Sequence, residues 1–476
     1  MATISIWNGK FGGLSDSKWS GIEGSFAECV GIDGHSQPGT LTVHQKLTKE
    51  SDVFVDEFVR VSIAVSTGES FWFSYTSGKI WRRSSTGTWL LVHTTVAGAG
   101  AHGCLGAMEY NGYLYWATQS RLHRIAMSAT LSTVAGWTAA VALDWATFTN
   151  TDLEFHPMVI QDQTLFIGDA NYVAKVSSAG VFTANALDIK TPYRIKTMFP
   201  YDIDLLIGTF VANTVNRTEI IRWDCVSPTW STTDPIEEVG INAFIRDDNY
   251  VYAQAGRAGN LYFYNGEQLI PFKKIPGTYS NVKYGYVHPN ATSNFRGVPV
   301  FGFSNGAGNP VKQGVYSIGS YSQNYPKVLS LDWIISQGTT SSIEIGSILV
   351  VDFDLLVSWK DTASSAYGVD LIDYTAKYTG AYFESMMLTQ QDRVEGKTLA
   401  GFVAAYNSLP ASTGLTFSYS VNAGAYQPMT DVDNTILQIL EAKLSVGDIG
   451  SLQVKVGFDV NANDAPVIEG VFGEFE

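Results

Sequence analysis

Aspartates are the side chains of this sequence with the clearest catalytic potential, because two carboxylates that face each other across a sugar can hydrolyse a glycosidic bond. Candidates stand in three short segments: Asp202-Ile203-Asp204, Asp247-Asp248 and Asp352-Phe353-Asp354. Each segment, however, occupies the polar turn of a repeated phrase, where aspartate is favoured because its side chain bonds its own backbone. No pair of carboxylates stands out from this background of turn residues.

Two short motifs match catalytic or cofactor patterns letter for letter. GFSNG, from Gly302 to Gly306, matches the GxSxG nucleophile elbow and would make Ser304 a nucleophile. The elbow needs a helix after the serine, whereas glycine and proline follow here, so we interpret the segment as a turn after a strand. GAGAHG, from Gly98 to Gly103, matches the dinucleotide pattern without a following helix, and we interpret it as a loop between blades.

Metal-binding patterns are faint. The seven histidines are scattered, without an HExxH motif or closely spaced partners. Asp459, Asn461, Asn463 and Asp464 alternate oxygen atoms as a calcium loop does, but the glycine and closing glutamate of an EF-hand are missing, so a turn is the better interpretation. We therefore predict no catalytic residue, no metal and no cofactor, and a protein that is not an enzyme.

A repeated phrase in the middle of the chain predicts the fold. It consists of a few apolar residues, a polar turn, an aromatic-rich strand, a glycine-containing link and a second strand. The copies are spaced by about 40 to 55 residues, the period of a four-stranded propeller blade. They begin at Glu69, Glu109, Ile160, Pro200, Arg246, Phe295 and Val350. We predict an all-β protein with a β-propeller of about seven blades over residues 38–388.

Two local features support this prediction. Asn111-Gly112 is a strong signal for a two-residue hairpin, because a type I′ turn needs positive φ at both central positions. Several tryptophans fall within the copies, where packing between neighbouring blades explains them better than sugar stacking does. These tryptophans are Trp81, Trp89, Trp116, Trp223 and Trp359.

The segment 1–37 before the repeats has a different character. It is rich in glycine and serine and carries the aromatics Trp7, Phe11 and Trp19, which look exposed. Such a segment gains stability only by packing elsewhere, which suggests an arm that docks on a neighbouring subunit through these three residues. An irregular lead-in packed on its own propeller is the other interpretation, and the sequence leaves both open.

A different β pattern follows the repeats over residues 389–476. The runs 415–421 and 452–458 alternate apolar and polar residues, as strands with one buried face do. Between them, the segment 436–444 fits either a short helix or a strand, because periodicity does not separate the two here. We predict a small C-terminal β-sandwich.

Charge and targeting signals limit the partners. The formal net charge of −15 argues against nucleic acid, because phosphate binding needs clustered basic residues. The N-terminus lacks a signal-peptide pattern, and no apolar run approaches 18 residues, so we expect cytoplasmic synthesis without membrane insertion. Cys29, Cys104 and Cys225 are isolated, which predicts buried thiols in a reducing compartment.

The order of these parts resembles structural proteins of tailed-bacteriophage particles. The lead-in WSGIEGSFAECVGIDGHSQPGTLTVHQKLTKES, from Trp19 to Ser51, contains the phrase Val30-Gly31-Ile32-Asp33 and then the Pro38-Gly39 step found before such propellers. The final segments SLQVKVGFDV and APVIEGVFGEF are similar to the closing β-sandwich of these proteins. The resemblance implies a virion component on the tail, a fibre or the capsid, assembled in the host cytoplasm in several symmetric copies.

We therefore expect a structural and interaction component of a phage particle, with other virion proteins as partners. In this hypothesis the propeller is a rigid platform and the two ends hold neighbouring subunits. A receptor-binding or lectin-like tip protein, which would contact a host surface glycan or receptor, is the first alternative. A polysaccharide-cleaving propeller enzyme is the second.

Overall fold

The protein is built almost entirely of β-strands, as the sequence predicts. The computed structural model describes residues 2–50, 56–95, 102–150, 154–211, 217–247, 250–276, 285–305, 312–320, 322, 325–338, 342–389, 397–429, 432–433, 439–446 and 449–476. Within these ranges the one helix is the short segment α1 (Val134–Ala140), and no helix is long and apolar enough to cross a membrane. The excess of aromatic and β-branched residues over strong helix formers explains why strands predominate over helices.

The strands form three groups along the chain. The N-terminal strands are β1 (Ala2–Trp7), β2 (Phe26–Val30), β3 (Ile32–Asp33), β4 (Thr42–Val43) and β5 (Gln45–Lys49). The strands of the repeats are β6 (Val59–Ala64), β7 (Ser70–Ser74), β8 (Lys79–Arg83), β9 (Trp89–Thr94), β10 (Gly106–Tyr110), β11 (Tyr113–Ala117), β12 (Arg121–Ala126), β13 (Ala142–Thr147), β14 (Met158–Gln161), β15 (Thr164–Asp169), β16 (Tyr172–Val176), β17 (Phe182–Asp188), β18 (Tyr193–Tyr201), β19 (Asp204–Val211), β20 (Thr218–Trp223), β21 (Thr232–Ile236), β22 (Ile241–Arg246), β23 (Val251–Ala255), β24 (Asn260–Tyr264), β25 (Leu269–Lys274), β26 (Gly285–Phe295), β27 (Val298–Asn305), β28 (Gly314–Gly319), β29 (Val328–Trp333), β30 (Ile343–Val351), β31 (Asp354–Asp361) and β32 (Ala366–Lys377). The C-terminal strands are β33 (Tyr382–Ser385), β34 (Leu399–Ser408), β35 (Gly414–Val421), β36 (Gln427–Pro428), β37 (Val432–Asp433), β38 (Ile439–Val446), β39 (Leu452–Asp459) and β40 (Val467–Phe475).

The middle strands form four-stranded antiparallel units, in which strands that follow each other in sequence also pair in the sheet. We number these units 1 to 6 in chain order: β6–β9, β10–β13, β14–β17, β18–β21, β22–β25 and β26–β29. Unit 7 contains β30, β31 and β32, and the N-terminal strand β5 supplies its outermost, fourth strand. The last unit is therefore completed by the start of the chain.

The units close into a ring, which is a β-propeller. The first strand of each unit packs against the first strand of the next, and β30 of unit 7 packs against β6 of unit 1. A four-stranded sheet has two apolar faces here, so each unit needs a neighbour on both sides. Closing the ring gives every unit those two neighbours.

Aromatic side chains fill the space between units, as predicted. The ring of Trp116 in unit 2 lies 6.5 Å from that of Phe73 in unit 1, and Phe166 of unit 3 meets Trp223 of unit 4 at 5.4 Å. Trp81 and Trp89 of unit 1 share an apolar cluster with Leu356 and Val369 of unit 7. All five tryptophans assigned to blade packing are buried: Trp81, Trp89, Trp116, Trp223 and Trp359.

The polar turns of the repeats are the hairpins between first and second strands. Asn111 and Gly112 join β10 to β11 with φ values of 48° and 75°. Positive φ at both positions is the requirement of the predicted type I′ turn, which is thus confirmed. Asp202 and Asp352 occupy the same place in units 4 and 7, each with a φ of 53°.

Two sheets form the C-terminal β-sandwich. One has the order β1-β40-β34-β38-β37, and the other contains β33, β39, β35 and β36. Phe402 of the first sheet stacks on Phe417 of the second with ring centroids 6.0 Å apart. The described part of the ambiguous segment 436–444 lies in strand β38, whereas 434–438 falls outside the described residues.

The N-terminal segment is packed into its own chain. β1 pairs with β40 of the sandwich, and β2 lies between β33 of the sandwich and β29 of unit 6. Unit 6 and one sandwich sheet are consequently parts of a single nine-stranded sheet. The interpretation of 1–37 as an irregular lead-in is corrected, because the segment contains strands, and β1 and β2 find their partners more than 300 residues away.

Candidate functional site

The three aromatics predicted to dock on a neighbour have different environments. Trp7 and Phe11 are each 1% exposed and belong to the main apolar core, so their expected exposure is corrected. The indole Nε1 of Trp7 donates to the carbonyl of Lys10 at 2.6 Å. Trp19 is 57% exposed and is the one member of the predicted set that a partner can reach in this structure.

The residues of the catalytic motifs occupy structural positions. Ser304 is buried in β27, where its hydroxyl oxygen accepts the backbone N–H of Ile345 in unit 7 at 2.8 Å. Asp202 and Asp352 are exposed at the tips of hairpins in two different units. Asp248 and residues 98–101 of the GAGAHG stretch lie outside the described residues.

The faint metal signals also have structural explanations. In the described ranges no group of three or more His, Cys, Asp or Glu side chains is placed to hold a metal ion. Asn461 and Asp464 exchange backbone hydrogen bonds of 3.0 and 2.8 Å, which makes this segment the turn between β39 and β40. Cys29, Cys104 and Cys225 are free and buried, and burial raises the pKa of Cys104 to about 12.

A pocket of about 380 Å³ lies on the ring axis, at the end where the first strands begin. We call it the axial pocket. The inner strands of four units contribute to its lining, together with the segment that leads into unit 3. Its polar side chains include Arg60, Glu154, Lys196, Asn242, Arg257 and His288. It lies at the opposite end of the first strands from the hairpin tips that carry Asp202 and Asp352.

β-Bulges point several of these side chains at the axis. The pairing of the first with the second strand shifts register at Arg60 in β6, at Lys196 in β18 and at Asn242 in β22. A bulge leaves one extra residue unpaired and changes the direction of its side chain. All three extra residues line the pocket, and His288 lies within a longer shift in β26.

A buried amide network holds Lys196 in place. Its ammonium donates to Oδ1 of Asn242 at 2.6 Å. Nδ2 of Asn242 donates to Oε1 of Gln254 at 2.7 Å and to the carbonyl of Gly256 at 2.6 Å. Oε1 of Gln254 also accepts the backbone N–H of Val287 at 3.0 Å. Because these partners fix which end of the Asn242 amide is oxygen, that oxygen faces the lysine.

The pocket disfavours the positive charge of Lys196. Burial lowers the pKa of this lysine to about 8; Glu154 acts in the opposite direction, and Arg60 and Arg257 lower the pKa further. Repulsion among three nearby cations is the physical cause of the last effect. The ammonium donates to a neutral amide oxygen. The dipole of the Asn242 amide therefore stabilises the charge, and this contact is not a salt bridge.

Two further side chains present polar hydrogens to the axial pocket. His288 is 6% exposed, and its Nδ1 accepts the backbone N–H of Asn290 at 3.4 Å, which leaves the proton on Nε2. Burial, with Arg60 and Lys196 nearby, holds the pKa of His288 well below its usual range, so the ring is neutral. A hydrogen bond with the backbone of Gly346 acts on this pKa in the opposite direction. Burial also raises the pKa of Tyr286 to about 12.

No protein-family model matches the chain, and no curated protein matches it. Solved structures do match. The computationally designed Ika8 protein aligns over 86% of this chain and 99% of its own, with 9% identity and a TM-score of 0.41. A catalytically inactive virginiamycin B lyase from Staphylococcus aureus aligns over 69% and 99%, with 11% identity and a TM-score of 0.43. The Dos1 propeller aligns over 69% and 95%, with 12% identity and a TM-score of 0.43. The propeller assignment rests on the strand order and on the contacts between units, and no family is assigned.

A second cavity of about 370 Å³ lies where the N-terminal segment meets units 6 and 7. His44 lies between two carboxylates there, with Nδ1 3.9 Å from Asp33 and Nε2 3.6 Å from Asp332. Its ring packs on Trp333 at 4.7 Å. Burial alone would raise the pKa of Asp33, but His44 and hydrogen bonds from Ser36 and His35 lower it to about 2.

Sequence reasoning missed the axial pocket. Arg60 stands between two valines and Lys196 between isoleucine and threonine, which is the ordinary alternation of a half-buried strand. The positions of the bulges cannot be recognised from such a pattern. The usable signal was a basic residue near the start of the first strand in two different copies of the repeat.

Proposed function

We propose that the protein is a structural and interaction component of a bacteriophage particle, present in several copies beside other virion proteins. The resemblance of its lead-in and closing segments to phage structural proteins supports this. The structural observation that carries it is the connection between ring and sandwich. β5 completes unit 7, and β2 joins unit 6 to the sandwich within one sheet, so the two parts cannot separate without breaking strand pairs. Such a body transmits load as a rigid platform.

The loop between β1 and β2 is the docking surface that we propose for a neighbouring subunit. It presents Trp19 and Ile22 to solvent, and Nζ of Lys18 lies 5.4 Å from the Trp19 ring. The loop is anchored, because the backbone N–H of Met387 donates to the carbonyl of Lys18 at 2.8 Å. An exposed indole on an anchored loop can bury a large area at little cost in conformational entropy.

The test is incorporation of variants into phage particles. Deleting residues 1–37 is unsuitable, because it removes β1 and β2 and would damage the sandwich. Trp19→Ser instead leaves the pairing intact and should reduce the amount of protein in purified particles at least about tenfold, as loss of an interface hot spot does. Val226→Ser, at an 87% exposed position in unit 4, is the matched control and should be incorporated normally. Normal incorporation of Trp19→Ser would contradict the docking role, and absence of the wild-type protein from particles would contradict the virion assignment.

Receptor binding is the second function that we propose, and the axial pocket is the observation that favours it. A preformed cavity with convergent polar groups at one end of a ring is a typical place for a small ligand. Purified protein should bind the surface of host cells, and truncating the lining arginine by Arg60→Ala should weaken that binding at least about tenfold. Unchanged cell binding by a folded Arg60→Ala variant would contradict a receptor site on the axis.

A further inference from the structure

The axial pocket is basic in a protein that is strongly acidic. Arg60, Lys196 and Arg257 line it, and among the described lining residues Glu154 is the one carboxylate, although the chain as a whole has a net charge of −15. Three cations around one cavity repel one another, and their repulsion is among the causes of the lowered pKa of Lys196. An anion bound between them would relieve that repulsion, so the empty arrangement favours a negatively charged ligand.

The cations are held in position before any ligand arrives. Lys196 is fixed by the amides of Asn242 and Gln254. The guanidinium carbon of Arg60 lies 3.6 Å from the centroid of the Tyr75 ring, and the Tyr75 hydroxyl bonds Nε2 of His102 at 3.1 Å. Preorganised donors lose little entropy on binding, which is the condition for recognising a small ligand.

An unused donor accompanies the charges. Nε of Arg60 is buried against the pocket without a hydrogen-bond partner in the described chain. An unmade hydrogen bond of a buried polar group is unfavourable, so this atom favours a ligand oxygen that accepts from it. The neutral His288 ring lines the pocket without adding another positive charge to the site.

The charge balance selects among anions. Glu154 lines the pocket, and Glu344 of unit 7 is close enough to raise the pKa of Tyr286. The carboxylate of Glu238 lies against Gly256, another lining residue. These carboxylates offset much of the charge of the three cations, so the pocket suits a singly charged carboxylate better than a doubly charged phosphate. The cavity of about 380 Å³ is larger than a bare carboxylate needs, and the rings of Phe155 and Tyr286 supply apolar surface for the rest of the molecule.

We propose that the axial pocket binds a small organic monoanion through its carboxylate, held by Lys196 and Arg60 beside the neutral ring of His288. The ligand body is about the size of a monosaccharide, and acidic sugars such as uronic and sialic acids belong to this class. The proposal deepens the receptor-binding function by naming its ligand chemistry. It is tested on the purified protein without cells, so its failure is distinguishable from failure of cell binding.

The first experiment is a calorimetric titration of the full-length protein with glucuronate and N-acetylneuraminate, with glucose as the neutral control and inorganic phosphate as the bare dianion. Binding of at least one acidic sugar, with at least about tenfold weaker binding of glucose and phosphate, is the expected result. Equal binding of glucose, tighter binding of phosphate, or no binding of either acidic sugar would overturn the proposal.

Variants identify the site. Lys196→Met should weaken binding of the acidic sugar about ten- to a hundredfold, because it removes a charged hydrogen bond. Lys175→Met is the matched control, since Lys175 is a partly exposed lysine of β16 that does not line the pocket. Unchanged binding by a folded Lys196→Met variant places the ligand elsewhere and overturns the assignment.

A pH series on the wild-type protein gives the same information without a substitution. Lys196 has a pKa of about 8 and loses its charge as the pH rises, so affinity should fall by up to about thirtyfold between pH 7 and 9.5. The other titratable side chains that line the pocket with Lys196 come from other segments of the chain: Arg60, Glu154, Arg257, Tyr286 and His288. His288 is already neutral, and Tyr286 with a pKa of about 12 stays protonated. Affinity that is constant over this range would contradict the role of Lys196.

Discussion

Arg83 donates from Nε and Nη2 to the two carboxylate oxygens of Glu50, each at 2.8 Å. Arg83 belongs to unit 1, whereas Glu50 directly follows β5, the N-terminal strand that completes unit 7. Glu50 also accepts the indole N–H of Trp89 at 3.3 Å. This bidentate pair therefore joins the last unit to the first, at the seam where the ring closes.

Breaking the seam should destabilise the whole ring. Glu50→Gln should lower the free energy of unfolding by about 2–3 kcal/mol, because buried Arg83 loses its bidentate partner and keeps only Asp354 at 4.0 Å. Urea unfolding followed by tryptophan fluorescence measures this. Glu23→Gln is the control, since the Glu23 pair with Lys10 is exposed and should contribute little. Equal effects of the two substitutions would show that the seam pair has no special role.

Trp7 should matter for stability and Trp19 should not. Trp7→Ala removes a fully buried indole beside β40 and is expected to cost about 3–5 kcal/mol. Trp19→Ala changes an exposed side chain and should alter stability by less than about 0.5 kcal/mol. Thermal unfolding of both variants checks this, and a harmless Trp7→Ala would mean that the N-terminal strand is not packed as the structure shows.

Asp33 should control the acid limit of stability. Its pKa of about 2 lies below the value of an unfolded chain, so its contribution is complete above about pH 4 and is lost as the pH falls towards 2. Asp33→Asn should therefore be about 2 kcal/mol less stable than the wild type at pH 7, with the difference vanishing near pH 2. Unfolding at a series of pH values measures this. Asp352→Asn, at an exposed hairpin tip, should show no such convergence.

Asp169 should lower the stability of the protein as the pH rises, in contrast to Asp33. Burial raises its pKa to about 6, although the backbone N–H groups of Thr149 and Asn150 donate to it at 2.9 and 3.3 Å. A raised carboxyl pKa in the folded state means that stability is lost as the pH rises through about 6. From pH 5 to 8 the wild type should lose about 1 kcal/mol more than Asp169→Asn. Asp202→Asn, at an exposed position, should show the same dependence of stability on pH as the wild type. If the stability of Asp169→Asn also changed with pH in parallel with the wild type, the buried-charge explanation would be rejected.

Much of the fold could be predicted from the sequence because its determinants are local. The Asn111-Gly112 hairpin needs two positive φ values and has them. Trp116, in the second strand of unit 2, and Trp223, in the third strand of unit 4, both pack between units as predicted. The residues after Ser304 do not fit a nucleophile elbow, and the structure places Ser304 in a buried strand.

The candidate site could not be predicted in the same way. Arg60, Lys196 and His288 are separated by up to 228 residues, from 60 to 288, and meet only because the ring closes around them. Their approach to the axis depends on register shifts in which unpaired residues change the direction of their side chains. In the sequence, a basic residue that points into the pocket therefore looks the same as one on the solvent-exposed face of a strand.

The sequence by itself determined the β class, the repeat and its turns, since hairpin chemistry and strand periodicity act over a few neighbouring residues. Only the tertiary structure decided that β5 completes unit 7, that Trp7 and Phe11 are buried, and that three cations share a pocket on the axis. These features depend on contacts between distant parts of the chain. No local pattern encodes them, because the free energy that fixes them is gained only when the ring closes.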